Sequence, residues 1–312
     1  MKLYQKIISG ICVLSIVLCG AYVAVKYINR DTKAPEIQFE SDSIVKSVTE
    51  GKSALLEGVS ALDNKDGDVT KSILVENITK KSGTKNEFEA TYVAFDKAGN
   101  HGKAKRTVIY EDYYGPRFLI KQNLRFPLNA VTSLKGIAEA YDGFGTDLTP
   151  YILIEGMDAI TSSDAKEGMY ECTFKVKNSV GDSVELPVSV ELYNSESEEE
   201  NARPQVLLSD YVVYVAAGTE FNYGNYINNI NDGGTISVDK GAMIDVMDDE
   251  GNISQIPQAV AEGNEGNWID ISQIQIQSDL NLNEPGMYKA TYTYVSTRTG
   301  LTGSATMYII VE

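Results

Sequence analysis

The chain has 312 residues, of which 43% are hydrophobic, and this is enough to exclude a generally disordered protein. Its length exceeds one typical domain core, so we expect two or three domains. The formal net charge of −17 repels nucleic acids and other polyanions, so we expect no nucleic-acid partner.

The first element is an uncharged apolar run from Ile7 to Val25. At 1.5 Å per residue, about 19 helical residues span roughly 29 Å, close to the thickness of the hydrocarbon core of a membrane. Lys2 and Lys6 precede the run and favour a cytoplasmic N-terminus. We therefore expect a single-pass protein of the cell membrane, bound to it by this helix, with its C-terminal domains extracellular. A cleaved signal peptide is the alternative, although Tyr22 fits poorly before a cleavage site.

Two motifs follow in the first third of the chain. Residues 61–70 read ALDNKDGDVT, and residues 88–100 read FEATYVAFDKAGN, an alternating strand that runs into a tight turn. Together with DTKAPE at residues 31–36, they resemble bacterial immunoglobulin-like surface domains of the hyalin-repeat or pesticidal-crystal-protein type. The resemblance covers residues 31–112. It implies a β-sandwich that serves outside the cell as a spacer or binding module.

The strand of the second motif recurs twice along the chain. Residues 88–94, 170–176 and 288–294 each place a small residue between two aromatic residues at a spacing of two, as in a strand with one buried face. A glycine turn and a final apolar strand follow each segment. The first two segments are about 80 residues apart, the size of a small β-sandwich.

We therefore predict an all-β protein with three tandem immunoglobulin-like β-sandwich domains after an N-terminal transmembrane helix. The linker between the second and third domains is acidic, and its like charges lead us to expect a hinge there. The third domain has a long insertion, which we interpret as extended loops or an added hairpin. The predicted parts are the cytoplasmic stub and anchor (1–30), domain 1 (31–112), domain 2 (113–194), the acidic linker (195–202) and domain 3 (203–312).

Three cysteines do not make a disulfide framework. Cys12 and Cys19 lie in the apolar run, so Cys172 is the one cysteine of the predicted extracellular part. It aligns with Ala90 and Ala290 on the apolar face of the repeated strand. We expect a buried thiol there.

A calcium site is one hypothesis for the two motifs of domain 1. Carboxylate and amide oxygens alternate in the first loop and recur in the second turn, and such oxygens are the ligands that Ca²⁺ prefers. In a sandwich the two turns are expected to lie close together. The alternative is that these side chains cap their own turns, with no cofactor bound. The candidate ligands are Asp63, Asp66, Asp68, Asp96 and Asn100.

Aromatic residues of domain 3 form a second candidate site. Tyr223 and Tyr226 stand among Asn and Gly, and Trp268 lies in the insertion. Exposed rings of this kind stack on sugars or bind proteins, so a glycan or a surface protein is the candidate ligand. The alternative is that the rings close the end of the sandwich.

We expect no enzyme, because the sequence lacks a recognisable nucleophile motif, phosphate-binding loop or zinc motif. The leading hypothesis is a membrane-anchored bacterial cell-surface protein that acts as a spacer, adhesion or ligand-binding module. The second is an accessory factor of envelope or surface-polysaccharide assembly. The third is a glycan-active enzyme, for which paired carboxylates would have to flank a sugar-binding cleft.

Overall fold

The computed structural model describes residues 2–128, 130, 133–241, 243–247, 253–257 and 268–312. The chain divides into two compact units, residues 1–114 and 115–312. Helix α1 (Lys2–Ile28) opens the first unit, and its apolar side chains are exposed. Its segment Leu3–Ile28 is long and apolar enough to cross a membrane, a property that a signal sequence shares.

The rest of the first unit is one pair of sheets. One sheet has the order β1-β3-β4, and the other has the order β2-β7-β6-β5. Their facing sides bury alternate residues of β6, including Phe88, Ala90 and Tyr92. The strands are β1 (Glu36–Phe39), β2 (Ser43–Lys46), β3 (Val59–Asp63), β4 (Gly67–Asp68), β5 (Leu74–Lys80), β6 (Glu87–Phe95) and β7 (His101–Tyr110).

The second unit begins with another pair of sheets, ordered β8-β10 and β11-β12-β13-β9. A short helix, α2 (Met157–Thr161), precedes β12 and buries Ile160. Cys172 and Phe174 alternate with exposed or half-buried residues along β12. The strands are β8 (Arg117–Ile120), β9 (Arg125–Pro127), β10 (Ala138–Tyr141), β11 (Leu153–Glu155), β12 (Gly168–Lys177) and β13 (Ser183–Tyr193).

A third pair of sheets completes the second unit after helix α3 (Glu198–Ala202). Its sheets are ordered β14-β16-β17-β20 and β15-β23-β22-β21, and β18 pairs with β19 as a separate hairpin within the long insertion. The strands are β14 (Gln205–Leu208), β15 (Val212–Val215), β16 (Ile227–Asn231), β17 (Thr235–Asp239), β18 (Met243–Met247), β19 (Ile253–Pro257), β20 (Trp268–Asp270), β21 (Ile274–Ser278), β22 (Gly286–Val295) and β23 (Thr302–Val311).

The three sheet pairs repeat one topology. In each, the last strand lies between its antiparallel hairpin partner and a short early strand that runs parallel to it: β2 beside β7, β9 beside β13 and β15 beside β23. β17 and β20 also pair in parallel, and the remaining pairings of named strands are antiparallel. The predicted all-β, immunoglobulin-like class after an N-terminal apolar helix is confirmed, while the division into three domains stays a prediction.

The second and third sheet pairs share one hydrophobic core. A single cluster of buried side chains runs from Phe118 in β8 to Ile309 in β23. Tyr211 lies within this cluster, and its backbone amide donates to the carbonyl of Ile120 at 2.8 Å. The two sheet pairs therefore fold as one body.

The expected hinge at the acidic linker is wrong. Ser197 accepts the amide of Glu200 and caps α3, so part of the linker is helical. Arg125 of β9 and Arg203 each form an ion pair with Glu200. The two arginines neutralise charge that the sequence pattern treats as repulsive, and Arg125 fixes the linker to the second sheet pair.

Candidate functional site

The first loop of the calcium hypothesis begins where β3 ends. Asp63 is 7% exposed, and its Oδ1 accepts the backbone amides of Lys65 and Asp66, each at 2.8 Å. This is the turn that an aspartate forms with its own following backbone. The amides of Asp66 and Lys65 hold the pKa of Asp63 below its usual range, although burial acts in the opposite direction. The carboxylate is therefore ionised at neutral pH.

The second loop begins where β6 ends. Asp96 is 8% exposed, and its Oδ1 and Oδ2 accept the backbone amide and the side-chain amide of Asn100, both at 2.7 Å. Gly99 has a φ of 89°, which lets the chain turn back within four residues. Asn100 thus supports Asp96 by hydrogen bonds. Each oxygen of Asp96 keeps a second lone pair for another partner.

Asp66 connects the two loops. Its Oδ2 accepts the backbone amide of Lys97 at 2.8 Å, and the ammonium of Lys97 lies 3.3 Å from its Oδ1. The structure therefore places the two turns side by side, as a sandwich requires. Asp66 is occupied by this bridge.

Asp68 has a capping role in the same loop. Its Oδ1 accepts the amide of Thr70 at 2.9 Å, and the hydroxyl and amide of Thr70 lower the pKa of Asp68. Asp147 and Thr149 repeat this arrangement in the second sheet pair, with the same distance of 2.9 Å and the same direction of pKa shift. Asp68 thus caps a turn of a kind that occurs in both the first and the second sheet pair.

The carboxylates of the two loops come together with a third carboxylate, which precedes the first sheet pair. Asp31 lies between α1 and β1, and one of its oxygens, one of Asp63 and one of Asp96 all lie within 4.8 Å of one another. We call Asp31, Asp63 and Asp96 the acidic corner. The segment that carries Asp31 is held nearby, because the ammonium of Lys65 donates to the carbonyl of Asn29 at 2.8 Å.

The acidic corner contains an unsatisfied charge. Oδ2 of Asp63 is buried and has no hydrogen-bond partner. Within the described part of the chain, no lysine or arginine forms an ion pair with any of the three aspartates. An unpaired buried carboxylate is unfavourable, so this arrangement requires positive charge or a hydrogen-bond donor from elsewhere.

The corresponding corner of the third sheet pair has its own cation. Asp232 follows β16 and is 8% exposed, and its Oδ2 accepts the hydroxyl of Ser296 at 2.6 Å. Its Oδ1 accepts Nη2 and Nε of Arg298 at 2.9 and 3.2 Å. Ser296 follows β22 as Asp96 follows β6. The guanidinium thus neutralises the buried carboxylate.

The second sheet pair has an intermediate arrangement. Asp142 follows β10 and is fully buried, with Oδ1 accepting the amides of Phe144 and Thr146. Its Oδ2 has no hydrogen-bond partner. Asn178 follows β12 where Asp96 follows β6, so a neutral amide replaces the second carboxylate.

The sequence-based ligand set therefore differs from the group that the structure assembles. Asp63 and Asp96 lie in the acidic corner, whereas Asp66, Asp68 and Asn100 are engaged in bridging, capping and support. Asp31, the third member of the acidic corner, was not among the sequence-based candidates. A repeated spacing was available as a signal, because an aspartate stands four residues before a proline at Asp31 and again at Asp112.

The aromatic candidates lie apart from the acidic corner, in the third sheet pair. The rings of Phe221 and Tyr226 stack with centroids 5.2 Å apart, and Tyr223 meets Phe221 edge-on at 4.9 Å. All three are half-buried against the core, and the phenol of Tyr292 donates to the carbonyl of Tyr223 at 3.1 Å. The three rings therefore pack against the core of this sheet pair.

Trp268 lies in β20, where it is half-buried and in register with Ser237 of β17. Its Nε1 is buried without a hydrogen-bond partner. Among the ring contacts of the described residues, Trp268 does not join Tyr223 and Tyr226. The three predicted ligand-binding residues are therefore not assembled into one ring-contact cluster.

No protein-family model matches the chain, and no curated protein matches it. Among solved structures, three extracellular cadherin domains of Drosophila N-cadherin align with 91% of this chain and 91% of their own, at 12% identity and a TM-score of 0.30. A Clostridium perfringens ZmpB fragment with CBM51-2 in complex with GlcNAc, together with INT domains, aligns with 46% of this chain and 29% of its own, at 14% identity and a TM-score of 0.20.

A lipoprotein from Bacteroides thetaiotaomicron aligns with 62% of this chain and 98% of its own, at 14% identity and a TM-score of 0.21. By contrast, the match to the ZmpB fragment covers less than a third of that fragment's length. All three TM-scores are below 0.5, so none of these likenesses carries an inference about function.

Proposed function

We propose that this protein is a membrane-anchored, non-catalytic surface module of a bacterial cell that holds binding surfaces away from the membrane. The observation that carries the proposal is the continuous core of residues 115–312, in which two sheet pairs form one body. A spacer needs such joints, because a flexible joint would let the distal sheet pair fold back.

The joint between these sheet pairs is reinforced by side chains that satisfy backbone groups across it. The amide of Phe118 donates to the phenol oxygen of Tyr214 at 2.8 Å. Arg117 in turn forms an ion pair with Glu312 and lies over the ring of Tyr214. Displacing one sheet pair from the other would expose buried polar groups, and this cost favours a single orientation.

The anchor is supported by the exposed face of α1. Its side chains from Ile7 to Val25 are uncharged, mostly apolar and exposed all around the helix, as lipid contact requires. We propose that α1 stays on the mature protein and that residues after it lie outside the cell.

Membrane extraction and protease access test this location. The full chain, with an epitope tag after Glu312, should remain in the membrane pellet at high pH, and external protease should remove the tag from intact cells. Leu14→Arg places a charge at the centre of α1 and should release the protein from the pellet, while Ser15→Ala is the matched control. A mature chain that begins near Tyr22, or a tag that is accessible only after lysis, would contradict the proposal.

The proposal that the protein is not an enzyme is tested by a separate assay. Purified full-length protein is incubated with cell-wall and capsular polysaccharides, and released reducing ends are measured. We expect none above the value for heat-denatured protein. A release that grows with enzyme concentration would instead support the glycan-active hypothesis.

A further inference from the structure

The acidic corner has the composition of a cation site. Three carboxylates carry three negative charges there, and Asp63 and Asp96 are more than nine-tenths buried. Like charges at this distance repel one another, and burial strengthens the repulsion. A protein keeps such a group when a cation neutralises it.

The unsatisfied oxygen is the second, independent observation. Oδ2 of Asp63 is removed from water and accepts no hydrogen bond, although Oδ1 of the same residue accepts two. Turn capping therefore accounts for only one of the two oxygens. The other needs a partner that the described residues do not supply.

The third sheet pair shows what satisfies a carboxylate in this position. There Arg298 and Ser296 bind both oxygens of Asp232. At the acidic corner Asp96 stands in the place of the serine, and among the described residues no arginine forms an ion pair with the three aspartates. A bound cation would take the place of the guanidinium.

The ligand set favours Ca²⁺ over Mg²⁺, because Mg²⁺ is usually bound through one or two carboxylates and keeps several waters, whereas Ca²⁺ takes more oxygen ligands from the protein. Oxygen ligands lie about 2.3–2.6 Å from Ca²⁺, so two ligands on one ion are at most about 5 Å apart, and the three carboxylate oxygens lie within 4.8 Å of one another. Ligands of Mg²⁺ lie about 2.0–2.1 Å away and demand closer, octahedral packing. Carboxylate oxygens are hard ligands and suit neither copper nor a structural zinc site.

We propose that Asp31, Asp63 and Asp96 bind one Ca²⁺ ion, which fastens the segment after α1 to the first sheet pair. Asp31 lies three residues beyond the end of α1, whereas Asp63 and Asp96 belong to the sandwich. The ion would thus join the exit of the helix to the folded domain. The inference does not depend on the proposed surface function, because the ligand set belongs to the first unit alone.

Calorimetric titration tests the ligand set. Full-length protein in detergent micelles, stripped of metal by a chelator, is titrated with CaCl₂. We expect saturable one-site binding, weakened at least tenfold in Asp31→Asn and Asp63→Asn, which keep the shape and remove a charge. Asp68→Asn is the matched control, since its carboxylate bonds Thr70 outside the corner, and it should bind as the wild type does. MgCl₂ should bind more weakly than CaCl₂.

Limited proteolysis with endoproteinase Lys-C tests whether Ca²⁺ holds the segment after α1 against the first sheet pair. Lys33 is exposed beside Asp31, and Ca²⁺ should slow cleavage there at least several-fold relative to cleavage after the exposed Lys121. Asp31→Asn should abolish this protection. Asp31 lies in the segment between α1 and β1, outside the sheets. The Asp31→Asn variant therefore keeps the test valid even if Asp63→Asn misfolds.

Several results would overturn the proposal. These are no saturable Ca²⁺ binding by the wild type, equal weakening by Asp68→Asn and Asp31→Asn, and equal affinity for Mg²⁺. Protection of Lys33 that persists in Asp31→Asn would also exclude Asp31 as a ligand.

Discussion

The phenol oxygen of Tyr308 accepts the backbone amide of Ser189 at 2.7 Å, so a side chain of the third sheet pair satisfies a backbone group of the second. Tyr308 is buried, and burial raises its pKa. The contact lies within the shared core. Together with Tyr214, it makes the stability of one sheet pair depend on the other.

Removing these two hydroxyls should uncouple the sheet pairs. Tyr214→Phe and Tyr308→Phe each leave an amide without its acceptor, at a cost of about 1–3 kcal/mol in the free energy of unfolding. The double variant should split the thermal transition of residues 115–312 into two, as measured by calorimetry of the full chain.

Tyr292→Phe provides the control for this experiment. Its hydroxyl donates to Tyr223 within the third sheet pair, so its loss should lower stability without splitting the transition. A single transition in the double variant would show that the shared apolar core alone couples the two sheet pairs.

Cys172 should be almost inert to thiol reagents in the folded protein. It is 2% exposed, and burial raises its pKa to about 11. Labelling with a maleimide should therefore require unfolding. Cys172→Ala should be mild, because Ala90 and Ala290 fill the equivalent positions, whereas Cys172→Asp should unfold the second unit by burying a charge. Rapid labelling of the native protein would show that the strand face is accessible.

The same thiol should make stability depend on alkaline pH. Its pKa rises from an ordinary 9.0 to about 11 on folding, so the folded state retains the proton longer than the unfolded state. Stability from this group is present below about pH 9 and is lost as the pH rises toward 11. Unfolding by denaturant between pH 8 and 11 should show a shallower decline for Cys172→Ala. Equal slopes would mean that the thiol pKa is not shifted.

Gly303 and Gly102 should not tolerate a side chain. A Cβ on Gly303 would lie 1.9 Å from the carbonyl oxygen of Pro204, and one on Gly102 would lie 1.9 Å from that of Pro35. Either alanine variant should lose about 1–3 kcal/mol or more of stability by overpacking. Gly234→Ala is the control, since its Cβ would have no neighbour within 4 Å. Equal melting temperatures for all three variants would contradict the close approach.

Arg298→Ala should destabilise the third sheet pair by about 3 kcal/mol. The substitution leaves the buried carboxylate of Asp232 without its cation. Because half of the arginine side chain is exposed, we expect a cost at the lower end of the range of about 3–5 kcal/mol for breaking a buried ion pair. Adding Asp232→Asn should restore part of the loss. Urea unfolding of the full chain measures both effects.

Lys175→Ala is the matched control for the arginine variant. Its ion pairs with Glu155 and Glu185 involve largely exposed carboxylates, so the change should stay below about 1 kcal/mol. If Arg298→Ala cost no more than this control, Asp232 would not need the guanidinium.

The strands that carry the core were predictable because their pattern is local. Tyr92, Phe174 and Tyr292 each stand two positions after a small residue in their own strand, and all three are buried as this alternation requires. The repeated strand also placed Cys172 on the buried side. Alternation along a single strand thus suffices to predict its buried face.

The joint and the acidic corner depend on residues far apart in the sequence. Arg125 neutralises Glu200 from 75 residues away, and no local charge count reveals such a pair. The acidic corner brings together Asp31, from the segment after α1, with Asp63 and Asp96, from two turns. Their proximity therefore follows from the folded topology alone. The pattern of Asp63, Asp66 and Asp68 indicated ligands, but it did not distinguish the acid that points into the corner from those that bond their own backbone.

The parallel strand beside each last strand determines how these sheet pairs bear mechanical load. In β2 with β7, and again in β15 with β23, an early strand runs in the same direction as the final one. Tension applied at the two ends of a sheet pair pulls such neighbours in opposite directions along their length. The hydrogen bonds between them are then sheared together instead of being peeled apart in succession, so each sheet pair should resist extension until the whole set breaks.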